Sequence, residues 1–166
     1  MHSSKIVTLL SRFSTRQLSR FGDFVQSPFF NKDENVTRLY FRLKSFSPGF
    51  KNPNLQKQKV FEAIFPAQSF DEKRLGYLSS SLVKLAEEFL VYEAGNDKPV
   101  ERKAALLKVY EKWELNPYFK KVLKESQAEV DSAEARDAEW HRQNYLLSAA
   151  KNVHFDKQKR HTHDQN

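Results

Sequence analysis

The chain has no cysteine, four glycines and six prolines in 166 residues, and it lacks any long apolar run. Without cysteine there is no disulfide framework, no thiolate zinc site and no cysteine nucleophile. That usage fits a reducing compartment, and a cytoplasmic location is expected. So few turn residues argue against an all-β sandwich or barrel, which needs them at regular spacing. The apolar run Ile6–Leu10 is too short for a signal-peptide core or a membrane span, so no membrane partner is expected. A phosphate-binding glycine loop, a GxSxG elbow, a DxDxDG loop and an HExxH pair are also missing. No catalytic, cofactor-binding or metal-ligating residue can therefore be named, and no enzyme activity is expected.

What the chain does have is positive charge and phenylalanine, both concentrated toward the N-terminus. The net charge is +7 at neutral pH, and Met1–Val60 alone carries eleven basic and three acidic residues, leaving the remainder at −1. Twelve of the fourteen phenylalanines precede Leu90, so the bulky core is expected in the N-terminal part.

The stretch from Ser69 to Ala94 organises the rest. Leu75, Leu78, Leu82, Leu85 and Phe89 recur at steps of three and four, the spacing of one helix stripe, and Val83, Ala86 and Leu90 widen it. A face that broad requires covering neighbours. Ser69 with Glu72 has capping-box spacing, and Gly95–Asn96 reads as a stop. Gly76 interrupts this helix, and the expectation is that another helix backbone packs closely there.

Before it, three helices are expected after a short one at Lys5–Phe13. Ser14 with Gln17 caps a helix carrying Leu18, Phe21, Phe24 and Val25. Asn31 or Asp33 caps the next, with Val36, Leu39, Tyr40, Leu43 and Phe46. Asn54 caps a third, with Val60, Phe61, Ile64 and Phe65. The link SPFFNKD reads as a buried corner. After Pro99, one stripe runs through Ala105, Leu106, Val109 and Trp113, and another through Tyr118, Phe119, Val122, Leu123 and Val130. A last one runs through Ala135, Ala138, Trp140, Tyr145, Leu146 and Ala149. The spacing marks of tetratricopeptide repeats are absent, so this reads as helical hairpin geometry alone. The expected architecture is all-α: a basic, Phe-rich bundle over residues 1–95 with a long central helix, antiparallel hairpins packed on it over 96–152, and a disordered tail over 153–166.

The run FGDFVQSPFFNKDENVTRLYFRL, then VFEAIFP, then FDEKRLGYLSSSLVKLAEEFL resembles the N-terminal region of uncharacterised helical proteins of Bacteroidetes-type bacteria. The likeness covers Leu9 to about Tyr92 and extends loosely beyond Pro99. It implies an all-helical fold and a bacterial origin, and no activity. Members of that family are longer, which implies that this chain is a truncated or divergent copy.

Two kinds of partner follow. A non-catalytic scaffold or protein-interaction module is the reading that composition favours, with the oligomeric state left open. The alternative is nucleic-acid binding. Arg16 and Arg20 lie four apart off the stripe of their helix, as do Arg38 and Arg42, and such rows can track phosphates or another anionic partner. A weaker route is a winged-helix analogy, in which Lys73, Arg74, Tyr77 and Ser80 would read DNA, although such a domain needs a β-hairpin next. The first 22 residues also fit a transit-peptide composition, but the Leu18–Val25 stripe favours a structural role. His161 and His163 are expected to bind metal only adventitiously, and His141 and His154 lack a metal-site spacing.

Overall fold

The computed structural model describes Met1, residues 4–96 and residues 98–163, the side chains of residues 96 and 157–163 excepted. Among the described residues the fold is all-α. Its helices are α1 (Lys5–Leu10), α2 (Thr15–Gln26), α3 (Glu34–Lys44), α4 (Lys57–Ile64), α5 (Glu72–Asn96), α6 (Pro99–Lys112), α7 (Asn116–Asp131) and α8 (Ala138–His163). The chain divides into two compact units, Met1–Tyr92 and Glu93–Asn166. The division falls inside α5, a little before the boundary expected after residue 95.

The first unit is built on aromatic contacts. At the start of α2, Ser14 and Gln17 form the reciprocal capping box, each side chain accepting from the other's backbone N–H at 3.2 and 3.0 Å. Asp33, not Asn31, caps α3 by accepting from the Asn35 N–H at 2.8 Å. Asn31 instead ties the turn together, its amide donating to the Val25 carbonyl and to the Thr37 hydroxyl, both at 2.9 Å. The Asn54 cap expected for α4 is not formed: α4 begins later, at Lys57, and Asn54 accepts from the Lys59 ammonium. The stripes of α2 and α3 are buried as the periodicity requires, and Leu75, Leu78, Leu82, Leu85, Ala86 and Phe89 of α5 complete the core. Phe21 lies within 6 Å of the Phe13, Tyr40 and Phe89 rings, at separations where aromatic pairs attract. Tyr40 is fully buried and its hydroxyl donates to the Leu18 carbonyl. Burial, and then the nearby Asp23 charge, push its phenol above the ordinary range.

Three features of α5 differ from expectation. Asp71 sets its start, accepting from the Arg74 N–H at 3.0 Å, while Ser69 stays outside the helix. Aspartate caps as well as serine, and it sits nearer the first buried leucine. The helix also continues through Gly95. Gly76 is exposed, and a Cβ built on it would meet no atom within 4 Å, so no backbone packs there. The close approach is at Gly22 of α2, where a Cβ would lie 3.3 Å from Tyr40 Cε1.

In the second unit, a Schellman arrangement ends α6: the Leu115 N–H bonds the Tyr110 carbonyl and the Glu114 N–H bonds that of Glu111. This places Glu114 at φ 57°, where glycine is the usual residue. Asp137 starts α8 by accepting from the Trp140 N–H at 2.9 Å, and the Trp140 indole donates to the Val130 carbonyl at 3.0 Å. The Arg142–Glu101 ion pair and the contact of His154 Nδ1 with Glu111 Oε2 at 2.6 Å join α6 to α8 in the same order along both helices. These two therefore run parallel, each antiparallel to α7. The core is Val100, Ala104, Leu107, Phe119, Val130 and Leu147. Of these, only Phe119 and Val130 belong to the stripes expected from sequence. Leu106, Val109, Trp113 and Tyr145 are exposed, as is Tyr118 in the first turn of α7: α6 and α8 each carry apolar residues on two sides, and the side of Leu107 and Leu147 is the one that is buried. The helix α8 also runs on through Phe155 to His163, where a disordered tail was expected.

Candidate interaction surfaces

The cations singled out by sequence all lie in the first unit, but they do not form one open row. Arg16 is exposed and Arg20 half-buried on α2. On α3, Arg38 is 3.7 Å from Glu34, and the Arg42 guanidinium lies 4.9 Å from the centre of the Phe46 ring with its Nε buried. The α3 pair is thus engaged with its own helix and its end. On α5, Lys73, Tyr77 and Ser80 are exposed along one face. Arg74 turns away from them, stacked 3.6 Å above Phe65 and bonded to Gln68 Oε1 at 2.7 Å. No strand follows α5 among the described residues, so the hairpin that a winged helix needs is not found there.

The link expected to be a buried corner is an exposed one. Ser27 is held extended ahead of Pro28, after which the Phe30 and Asn31 N–H groups both bond the Ser27 carbonyl. With Asn31 tied to Val25 and Thr37, this tight turn leaves Phe29 85% exposed and Phe30 39% exposed. Phe30 stacks on the buried Phe24 at 3.9 Å and 17°, and Phe29 stands edge-on to Phe30 at 4.9 Å. Beside them Val91 and Tyr92 are exposed, 74% and 50%. The rings of Phe24 and Phe30 with Lys84, Glu88, Val91 and Tyr92 enclose a shallow depression of about 460 Å³. Glu87, on its rim, is paired with Lys5 at 2.7 Å. The sequence signal for this site is the doubled aromatic immediately after a proline. Composition does not say on which side of a turn a ring lies, so the outward placing of this pair is visible only in the structure.

In the second unit, the outward apolar faces of α6 and α8 line a trough of about 600 Å³ floored by Ala104, Ala105, Phe119, Ala149 and Ala150. Glu111 and Arg142 stand along its walls. His154 is buried behind it, stacked on Phe119 at 4.0 Å, and its ring nitrogen meets Glu111. This histidine is a core residue that periodicity did not reveal: it lies five positions beyond the end of the expected stripe, two turns after Leu147 on the same buried face. His141 packs edge-on to Trp140 at 4.9 Å. The side chains of His161 and His163 lie outside the described residues. Among the described residues no three His, Asp or Glu side chains converge as metal ligands, and no helix is long and apolar enough to cross a membrane.

No family model, curated protein or solved structure matches the chain, so function rests on the geometry of these surfaces.

Proposed function

We propose that the chain is a non-catalytic helical interaction module whose first unit binds a protein partner through the Phe29–Phe30 corner, in a bacterial cytoplasm. The observation that carries this reading is Phe29, 85% exposed on a turn held by backbone and Asn31 hydrogen bonds. Covering one such ring is worth about 1.5–3 kcal/mol, and a preorganised ring loses little entropy when it docks. Exposed aromatics adjoining a depression are the usual anchors of protein interfaces. The mixed charges of Lys84 and Glu88 at the rim suit a partner that inserts an apolar side chain between polar neighbours.

The test is quantitative capture of the tagged chain from its native cells, wild type against the Phe29→Ala/Phe30→Ala double variant. A stoichiometric protein lost only with the variant, at unchanged helicity, supports the reading; a partner retained by the variant, or no partner at all, removes it. The charge excess of Met1–Val60 favours nucleic acid as a second reading, with Arg16 and Arg20 as its first contacts. It requires binding to generic duplex or single strands that weakens steeply between about 50 and 200 mM salt. No binding at the low end would exclude it.

A further inference from the structure

We propose that the second unit pairs with a second copy of itself, α8 of each chain lying antiparallel in the α6–α8 trough of the other, about a twofold axis through Ala149. The outward stripe of α8 is Arg142, Tyr145, Ala149, Val153 and Asp156, with steps of three, four, four and three. The spacing reads the same in both directions, as a self-complementary twofold contact requires. Reversed about Ala149, the stripe sets Tyr145 against Val153 and Arg142 against Asp156 of the other copy.

Each of these meetings is chemically favourable. Tyr145 and Val153 are 73% and 59% exposed, an apolar cost that mutual burial relieves. Ala149 at the axis, with Ala104, Ala105 and Ala150 beside it, leaves the part of the floor around the axis lined by small side chains, with Phe119 the one aromatic ring in it. Small residues let helix axes approach to about 8 Å. Arg142 donates from Nε and Nη2 to Glu139 and from Nη2 to Glu101. Its Nη1 makes no hydrogen bond among the described residues and can reach the carboxylate of the exposed Asp156. Net charge does not oppose the association, because residues 93–166 carry fourteen basic and thirteen acidic side chains. The first unit, with fourteen basic and eight acidic, would repel its copy.

The absence of native cysteine makes the test direct. Full-length Ala149→Cys, mildly oxidised, is expected to form a covalent dimer at least about tenfold faster than Lys151→Cys, whose residue lies on the far face of α8, because only position 149 meets its own copy at disulfide distance. Wild-type protein is expected to sediment as a concentration-dependent dimer, and Ala149→Glu as a monomer of unchanged helicity. A wild type that stays monomeric up to about 500 µM, where even a contact near 100 µM would register, overturns the proposal. So does a dimer in which positions 149 and 151 cross-link equally, since the copies would then meet elsewhere.

Discussion

Gly76→Ala should stabilise the first unit. The residue lies in the second turn of α5, exposed, and a Cβ there meets nothing within 4 Å. The substitution therefore adds no clash and removes the conformational freedom that glycine retains in the unfolded chain, a gain of about 1 kcal/mol. For a unit of 92 residues, with about 2 cal/mol/K per residue of unfolding entropy, that raises the midpoint by roughly 5 °C. Circular dichroism at 222 nm records it, while tryptophan fluorescence follows the second unit alone, since both Trp113 and Trp140 lie there. Gly22→Ala is the internal control. It brings the same helical gain, but its Cβ would press at 3.3 Å on a Tyr40 ring that is buried and held by its bond to the Leu18 carbonyl. Strain of that kind costs about 1–3 kcal/mol, so the net change should be zero or a loss. If Gly76→Ala lowers the midpoint, or if both variants shift it equally upward, the assignment of the close contact to Gly22 is wrong.

Glu114→Gly should raise the stability of the second unit by about 1 kcal/mol, because residue 114 is held at positive φ in the Schellman turn; a loss on urea denaturation would count against that geometry. Tyr40→Phe should cost about 1 kcal/mol through the lost bond to Leu18, and an unchanged urea midpoint would show that the bond contributes nothing. Hydrogen bonding to Arg142 holds the Glu139 carboxyl below its usual range. Its contribution is therefore present above the ordinary glutamate pKa and is lost as pH falls through the lowered value. The fluorescence-detected midpoint should decline from about pH 5 downward, and Glu139→Gln should flatten part of that slope. Parallel profiles for the two proteins would show that the pair is not formed. Phe29→Ala should change stability by less than about 0.5 kcal/mol, as an exposed substitution does, so a larger loss would mean the ring is covered.

The helices of the first unit were legible because each stripe there has one apolar face, and burying that face is the only way to cover it. The Ser14–Gln17 box was equally readable, as a cap is a local hydrogen-bond pattern that spacing alone reveals. Caps with two nearby candidates were not: Asp71 and Ser69 serve comparably as N-caps, and only the register of Leu75 in the core chooses between them. In the second unit the pattern misled, since α6 and α8 present apolar residues on two sides. Leu107 and Leu147 went inward, while Leu106 and Tyr145 were left outside. Nothing in a single helix states which of two faces meets α7.

By itself, then, the sequence determined the all-helical class, the order of the elements and the placing of the phenylalanine core, all of which follow from periodicity and local hydrogen bonding. The outward turn of Phe29, the close contact at Gly22 and the open trough along Ala149 were decided by tertiary structure. Each depends on what lies across from a residue in space, and that is set by how helices dock and not by the spacing of side chains along any one of them.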